Sequence, residues 1–198
     1  MRKSALLFML LVFAVGAVAN GQSPDQNGAR NEAFIGPVVK LTSIDQRLGV
    51  MLGLRGNWPI ARSLSLGFGI YTLINKIDAP QGVLPLEGAL NADLSYLGLE
   101  LEYFLNPGSR TRFSLSALLG GAATRFVKDT GSALKSSQQV GETAFLWVVE
   151  PGGNAEWTVA RGFRLTVGVS YRLASKARKE GLEDMSFSGP TATIALKF

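Results

Sequence analysis

The sequence predicts an all-β chain of eight antiparallel strands wound up and down into a closed barrel. Three observations carry that reading. Apolar residues recur at every second position through eight segments, the connections between segments alternate in length, and the opposite face of each segment is small or charged. The clearest segment spans residues 162–175. Phe163, Leu165, Val167, Val169, Tyr171 and Leu173 form one set, and Arg164, Thr166, Gly168, Ser170, Arg172 and Ala174 the other. Successive side chains of a strand point to opposite faces, so one face is wholly apolar. The run is longer than most soluble strands need and suits a tilted strand that crosses a bilayer. Residues 142–159 repeat the pattern. Phe145, Trp147, Val149, Ala155, Trp157 and Val159 oppose Glu142, Leu146, Glu150, Asn154 and Glu156, and Ala160-Arg161 is the tight turn between the two segments.

The chain has 198 residues, enough for one domain. Residues 1–19 stand apart. Arg2 and Lys3 make a basic start, an apolar run covers 5–17, and Ala17-Val18-Ala19 is a small-residue cleavage pattern. Together they read as a secretory signal peptide cut near Ala19. An N-terminal membrane anchor would need a longer apolar run, and without cysteine a lipoprotein anchor is not expected. Of the 20 Lys and Arg residues two lie in this segment, leaving 18 against 15 Asp and Glu, a net charge of +3. No Lys/Arg cluster is interleaved with aromatics, so nucleic acid is not an expected partner. An exported chain without cysteine needs a source of rigidity other than disulfides, and a closed barrel is one. The lack of histidine excludes His-dependent hydrolases and most zinc sites.

Residues 20–32 are polar and form a flexible lead-in; the barrel takes 33–198. The first strand is expected over 33–43, with Ile35, Val39 and Leu41 opposing Gly36, Val38, Lys40 and Thr42. Pro37 cannot donate to the ladder and suggests a bulge or local irregularity. A short turn at 44–46 leads to the second strand, 47–58, where Leu48, Val50, Leu52 and Leu54 oppose Gly49, Met51, Gly53, Arg55 and Asn57. After a turn at 59–61 the third strand, 62–74, sets Leu64, Leu66, Phe68 and Ile70 against Ser63, Ser65, Gly67, Gly69 and Tyr71. Residues 75–92 are a long connection. The fourth strand, 93–105, sets Leu97, Leu99, Leu101, Tyr103 and Leu105 against Tyr96, Gly98, Glu100 and Glu102, and a strong turn signal follows at 106–109. The fifth strand covers 112–127, and 128–141 is a second long polar loop. The sixth and seventh strands are the hairpin already described, with a bulge expected at Pro151-Gly152-Gly153. A charged loop at 176–183 precedes the eighth strand, 184–198.

The connections after the second, fourth and sixth strands are tight. Those after the third, fifth and seventh are longer and polar, and the one after the first is short. Outer-membrane barrels have an even strand number, short periplasmic turns and longer external loops. With both termini periplasmic, every connection except the first falls on its expected side. The alternative is a soluble exported barrel with its apolar face inside, binding a small hydrophobic ligand. The small face decides between them. In a soluble barrel it would be the water-facing surface, rich in Lys, Glu and Thr. Here Gly36, Gly53, Ser65, Gly67, Gly69, Gly98, Ser114, Ser116, Gly120, Gly168 and Ser170 dominate it. Small residues suit a narrow lumen, and the uninterrupted Leu, Val, Ile and Phe of the other face suit lipid. Trp58, Tyr103, Trp147, Trp157, Tyr171 and Phe198 fall mostly near strand ends, as interfacial girdles would. The prediction is therefore an eight-stranded transmembrane β-barrel.

Ten charges fall on the small face: Lys40, Arg55, Glu100, Glu102, Arg112, Glu150, Glu156, Arg164, Arg172 and Lys197. Buried charges must be paired or they cost heavily. Across the sixth and seventh strands, Glu156 is expected beside Arg164 and Glu150 beside Arg172. One reading is a structural network that fills the lumen. The other is a selectivity or gating set in a narrow pore for ions or small solutes. Glu100 and Glu102 could also be a catalytic pair, but two residues apart on a lumen strand they are better read as neutralising cations across the barrel. Without a histidine base no catalytic residue is assigned and no cofactor is implied. Asp45, Asp78, Asp129 and Glu183 are scattered and make no metal-ligand pattern.

The last strand ends on Phe198, with apolar residues at alternate positions before it. This resembles the C-terminal signature by which outer-membrane barrels are recognised for insertion. With the eight strands and the loop asymmetry, residues 33–198 resemble the small barrels of the OmpA transmembrane-domain and OmpX type. The segments PVVKLTSID (37–45), LGLELEY (97–103) and VEPGGNAEWTVARGFRLTVGVSYR (149–172) are also similar to a group of uncharacterised outer-membrane barrel proteins. The resemblance implies a bacterial outer-membrane location and, through Phe198, contact with the insertion machinery; it implies no enzymatic activity. The expected partners are outer-membrane lipid and an extracellular molecule met at 75–92, 128–141 and 176–183, where loops on a rigid scaffold build variable contacts. A monomer is expected.

Overall fold

Eight strands make up the wall: β1 Phe34–Ile44, β2 Arg47–Ala61, β3 Leu64–Leu73, β4 Leu90–Phe104, β5 Thr111–Lys128, β6 Gln138–Ala160, β7 Phe163–Ala174 and β8 Gly189–Lys197. They are seen in a computed structural model that describes residues 33–78, 90–107, 109–128, 138–160, 162–177 and 185–198. Each strand pairs antiparallel with its chain neighbours, and β1 pairs with β8, so the wall closes. A two-residue piece, Ile77–Asp78, adds to the start of β4. The expected signal peptide (1–19), the lead-in (20–32) and most of the three long connections lie outside the described residues.

Local chemistry explains the tight ends. Asp45 and Gln46 both have positive φ, 50° and 62°. Two such residues form the turn whose twist matches a hairpin, and Asp tolerates that conformation. Gly162, at φ 82°, turns β6 into β7. The structure moves several expected boundaries. β4 starts at Leu90, inside the expected loop; β5 and β6 extend to Lys128 and back to Gln138, shortening the loop between them; β8 starts only at Gly189.

Neither Pro37 nor Pro151 makes a bulge. Pro37 stays in register against Leu54, and the contacts of Ile35 with Phe198 keep the same register on the β8 side. Pro151 stays in register against Ala117, and the β6–β7 register is the same on either side of it. A missing N–H interrupts a ladder without forcing an extra residue into it. The register shifts fall instead at Pro59/Ala61, Thr124/Phe126 and Thr158/Ala160.

The apolar face of the alternation points outward. Leu97, Leu99, Phe145 and Trp147 are each more than 60% exposed, in a belt that continues through Leu66, Ile70, Leu115, Val169 and Ile194. Trp58, Tyr103, Trp157 and Phe163 ring the end of the belt nearest the β2–β3 and β6–β7 turns, and Trp147 and Tyr171 lie toward the other end. A strand crosses a bilayer in about 9–11 residues, so the 18 residues of β5 and 23 of β6 continue well beyond the belt. There the alternation inverts. The outer face becomes polar, with Thr72 bonded to Ser95 at 2.8 Å and Arg125 paired with Asp93 at 3.3 Å. The inner face becomes apolar, with Leu73, Leu94 and Phe126 packed together.

Two glycines give Tyr71 its place inside. A Cβ on Gly69 would sit 2.6 Å from Cε2 of the Tyr71 ring, and one on Gly53 would meet the same ring. Gly69→Val therefore overpacks the lumen, at an expected cost of about 1–3 kcal/mol. The check is the temperature at which the folded, fast-migrating gel band gives way to the unfolded one; an unchanged temperature would show that the ring can move aside.

Candidate functional site

Inside the belt, closure of the wall buries most inward side chains, so the buried polar groups there must find partners within the lumen. Glu102 on β4 is the most engaged. It accepts hydrogen bonds from Ser114 at 2.6 Å, Asn57 at 3.2 Å, Asn154 at 3.3 Å and Lys197 at 3.4 Å, and Arg55 Nη2 lies 3.5 Å away. Glu156 on β6 faces three cations. Lys197 is 2.5 Å away and Arg164 3.7 Å, Arg112 is bonded to it directly, and Thr166 donates to it. Lys197 thus joins the two carboxylates.

Glu100 takes Arg55, with Nε 2.7 Å from Oε2. The alignment is poor: Arg55 Nε and Nη2, Glu100 Oε2 and Asn57 Oδ1 make no hydrogen bond of good geometry, so this contact is one of charge. Glu150 on β6 is better served. It accepts from Lys40, from the Tyr96 hydroxyl and from Ser170, each at 2.7 Å. Lys40 also donates to the Tyr96 hydroxyl at 2.9 Å and lies 3.8 Å over the Tyr71 ring. Tyr71 and Tyr96 pack with ring centroids 4.9 Å apart.

The structure brings nine of the ten charged residues into ion pairs with one another. Arg172 is the exception, and the expected Glu150–Arg172 pair is a correction. The two residues are level in register, but Lys40 reaches across from β1 and takes the carboxylate. Among the described residues Arg172 makes no ion pair; it donates to two carbonyls. Arg164 does reach Glu156 at 3.7 Å. Phe198 ends the chain beside β1, its amide and carbonyl against Ile35, and its ring centroid is 6.1 Å from that of Phe163. The candidate set omitted Tyr71, Tyr96, Asn57, Ser114, Asn154, Thr166 and Ser170. Their signal was the shared small face; the two tyrosines stand out on it beside Gly69 and Gly98.

A closed eight-stranded antiparallel wall with a lipid-type outer belt and a polar, side-chain-filled core is the fold of the small outer-membrane barrels. Neisserial surface protein A has this fold, with a TM-score of 0.56 at 15% identity over 86% of this chain and 97% of that one. OprG from Pseudomonas aeruginosa has it too, with a TM-score of 0.50 at 14% identity over 88% of this chain and 99% of that one. The chain matches no protein-family model and no curated protein.

Removing one partner of a buried charge network strands the others in a low dielectric. Glu102→Ala, which strips an acceptor from Arg55 and Lys197 together, is expected to cost about 3–5 kcal/mol of barrel stability. Asp78→Ala, at an exposed pair with Arg47 of 3.6 Å, should cost less than about 1 kcal/mol. Denaturant titration of both variants in detergent gives the comparison, and equal losses would contradict the ranking.

Proposed function

We propose that this protein is a bacterial outer-membrane barrel of structural or surface-interaction type, its lumen closed by its own side chains. One observation carries the reading. Every strand contributes to the lumen contacts, from Lys40 on β1, Arg55 on β2 and Tyr71 on β3 to Arg164 on β7 and Lys197 on β8, and all four lumen glutamates are engaged. An interior so occupied leaves the connections at the wide-loop end as the surface for partners. The outward apolar belt supports a place in lipid. The soluble alternative needs those side chains inside, opposite to where they stand.

Residues 1–19 act as the export signal in this reading, Phe198 engages the insertion machinery, and the barrel works as a monomer. No catalytic step is assigned, since a chain without histidine lacks the usual general base. The narrow-pore reading rests on the polar lower lumen. Two measurements test the proposal. Cell fractionation with heat-modifiable gel mobility should give an outer-membrane band that migrates differently boiled and unboiled, with a mature mass starting near Asn20; a soluble periplasmic protein would overturn the placement. Planar-bilayer recording should give no reproducible open steps, whereas discrete steps would overturn the closed lumen and make the charged residues a pore lining.

A further inference from the structure

The ladder between the first and last strands closes the wall, and it is short of donors. Ile35 and Phe198 bond each other's carbonyls at 3.4 and 3.5 Å, long for amide hydrogen bonds. In an antiparallel ladder such mutual bonds recur at every second residue. Carried through the register of Val38 on Ala195 and Thr42 on Thr191, they fall at 35/198, 37/196, 39/194, 41/192 and 43/190. Two of these positions hold a proline, Pro37 opposite Leu196 and Pro190 opposite Ser43. Proline has no N–H, so the carbonyls of Leu196 and Ser43 each lose the amide that the ladder would offer.

Each of these prolines follows a glycine, and each of these carbonyls leans on that glycine. A Cβ on Gly36 would lie 1.6 Å from Leu196 O, and one on Gly189 would lie 2.5 Å from Ser43 O. The carbonyl thus meets a Cα–H, a donor worth about half an N–H. Hydrocarbon supplies no better one. Ser43 O has further help, from Arg172 Nη2 at 3.1 Å. Arg172 makes no ion pair among the described residues, and here it stands in for the amide that Pro190 lacks. The other seams are better supplied. β6–β7 loses one donor, at Pro151 opposite Tyr171 in the register kept on either side of it. β4 and β5 contain no proline and stay in register from Leu90 on Lys128 to Phe104 on Ser114.

We infer that the β1–β8 seam is the line along which the wall opens first, weakened by its two Gly-Pro steps while the other ladders hold. Amide hydrogen exchange of the full-length protein in detergent, read residue by residue by NMR, tests this. Val39 and Ile194 pair across β1–β8, and Leu99 and Leu119 pair across β4–β5. All four side chains lie on the outer belt, and Leu99 and Leu119 are the more exposed, so exposure alone favours the opposite order. The amides of Val39 and Ile194 should exchange about tenfold or more faster than those of Leu99 and Leu119, as befits a separately opening unit. Equal rates would overturn the inference, and so would faster exchange at Ala155 and Val167, which pair across β6–β7. Pro37→Val gives Leu196 O an amide. It should slow exchange at Val39 and Ile194 and leave Leu99 and Leu119 as they were; no slowing would show that the missing donor is not what weakens the seam. Should that variant fail to fold, Pro190→Val makes the same test at Leu41 and Ala192, with the same two outcomes.

Discussion

An eight-stranded wall encloses a space that side chains just fill, and the rest of the structure follows from that width. The lumen glutamates are buried, so none of them can rely on solvent. Glu102 answers this constraint by collecting Ser114, Asn57, Asn154, Lys197 and Arg55 from four other strands. The ladders already tie each strand to its two neighbours. The lumen contacts tie strands that are not neighbours, as Lys40 on β1 does with Glu150 on β6. Charge that would be costly alone becomes a cross-brace when each member is shared. The same width explains the glycines: Tyr71 lies in the lumen because Gly53 and Gly69 leave room for its ring.

The medium around the wall changes along its length, and the side chains change with it. Through the belt the surroundings suit Leu, Phe and Trp outside, and polarity goes inside. Past the belt, Thr72, Ser95, Asp93 and Arg125 take the outer face, and Leu73, Leu94 and Phe126 take the inner one. That upper section is built as a soluble barrel is, on an ordinary apolar core. Tyr71 and Tyr96 stand where the two regimes meet. A phenol ring offers an apolar body and a polar tip, and here the Tyr96 hydroxyl serves Lys40 and Glu150. Arg172 also lies near this boundary. It satisfies itself on backbone carbonyls because the nearby carboxylate is taken.

Period-two alternation determined the face of each residue from sequence alone, because the direction of a side chain along a strand is a local property. Val39 and Lys40, or Val149 and Glu150, could be assigned to opposite faces without knowing where any other strand lay. The outward belt, the eight strands and the closed wall were legible for the same reason, helped by the turn residues at 106–109 and 160–161. Strand ends were less legible. Leu90 to Ala92 and Gln138 to Gly141 look like loop because the sequence does not announce that the alternation inverts above the belt. Partners were legible only between adjacent strands: Arg164 reaches Glu156, while Glu150 pairs with Lys40, 110 residues away, and not with Arg172. The tertiary structure decided that choice, along with the burial of Met185 and Phe187. Which charge reaches which across a lumen depends on the register and tilt of all eight strands at once, and no single strand encodes it.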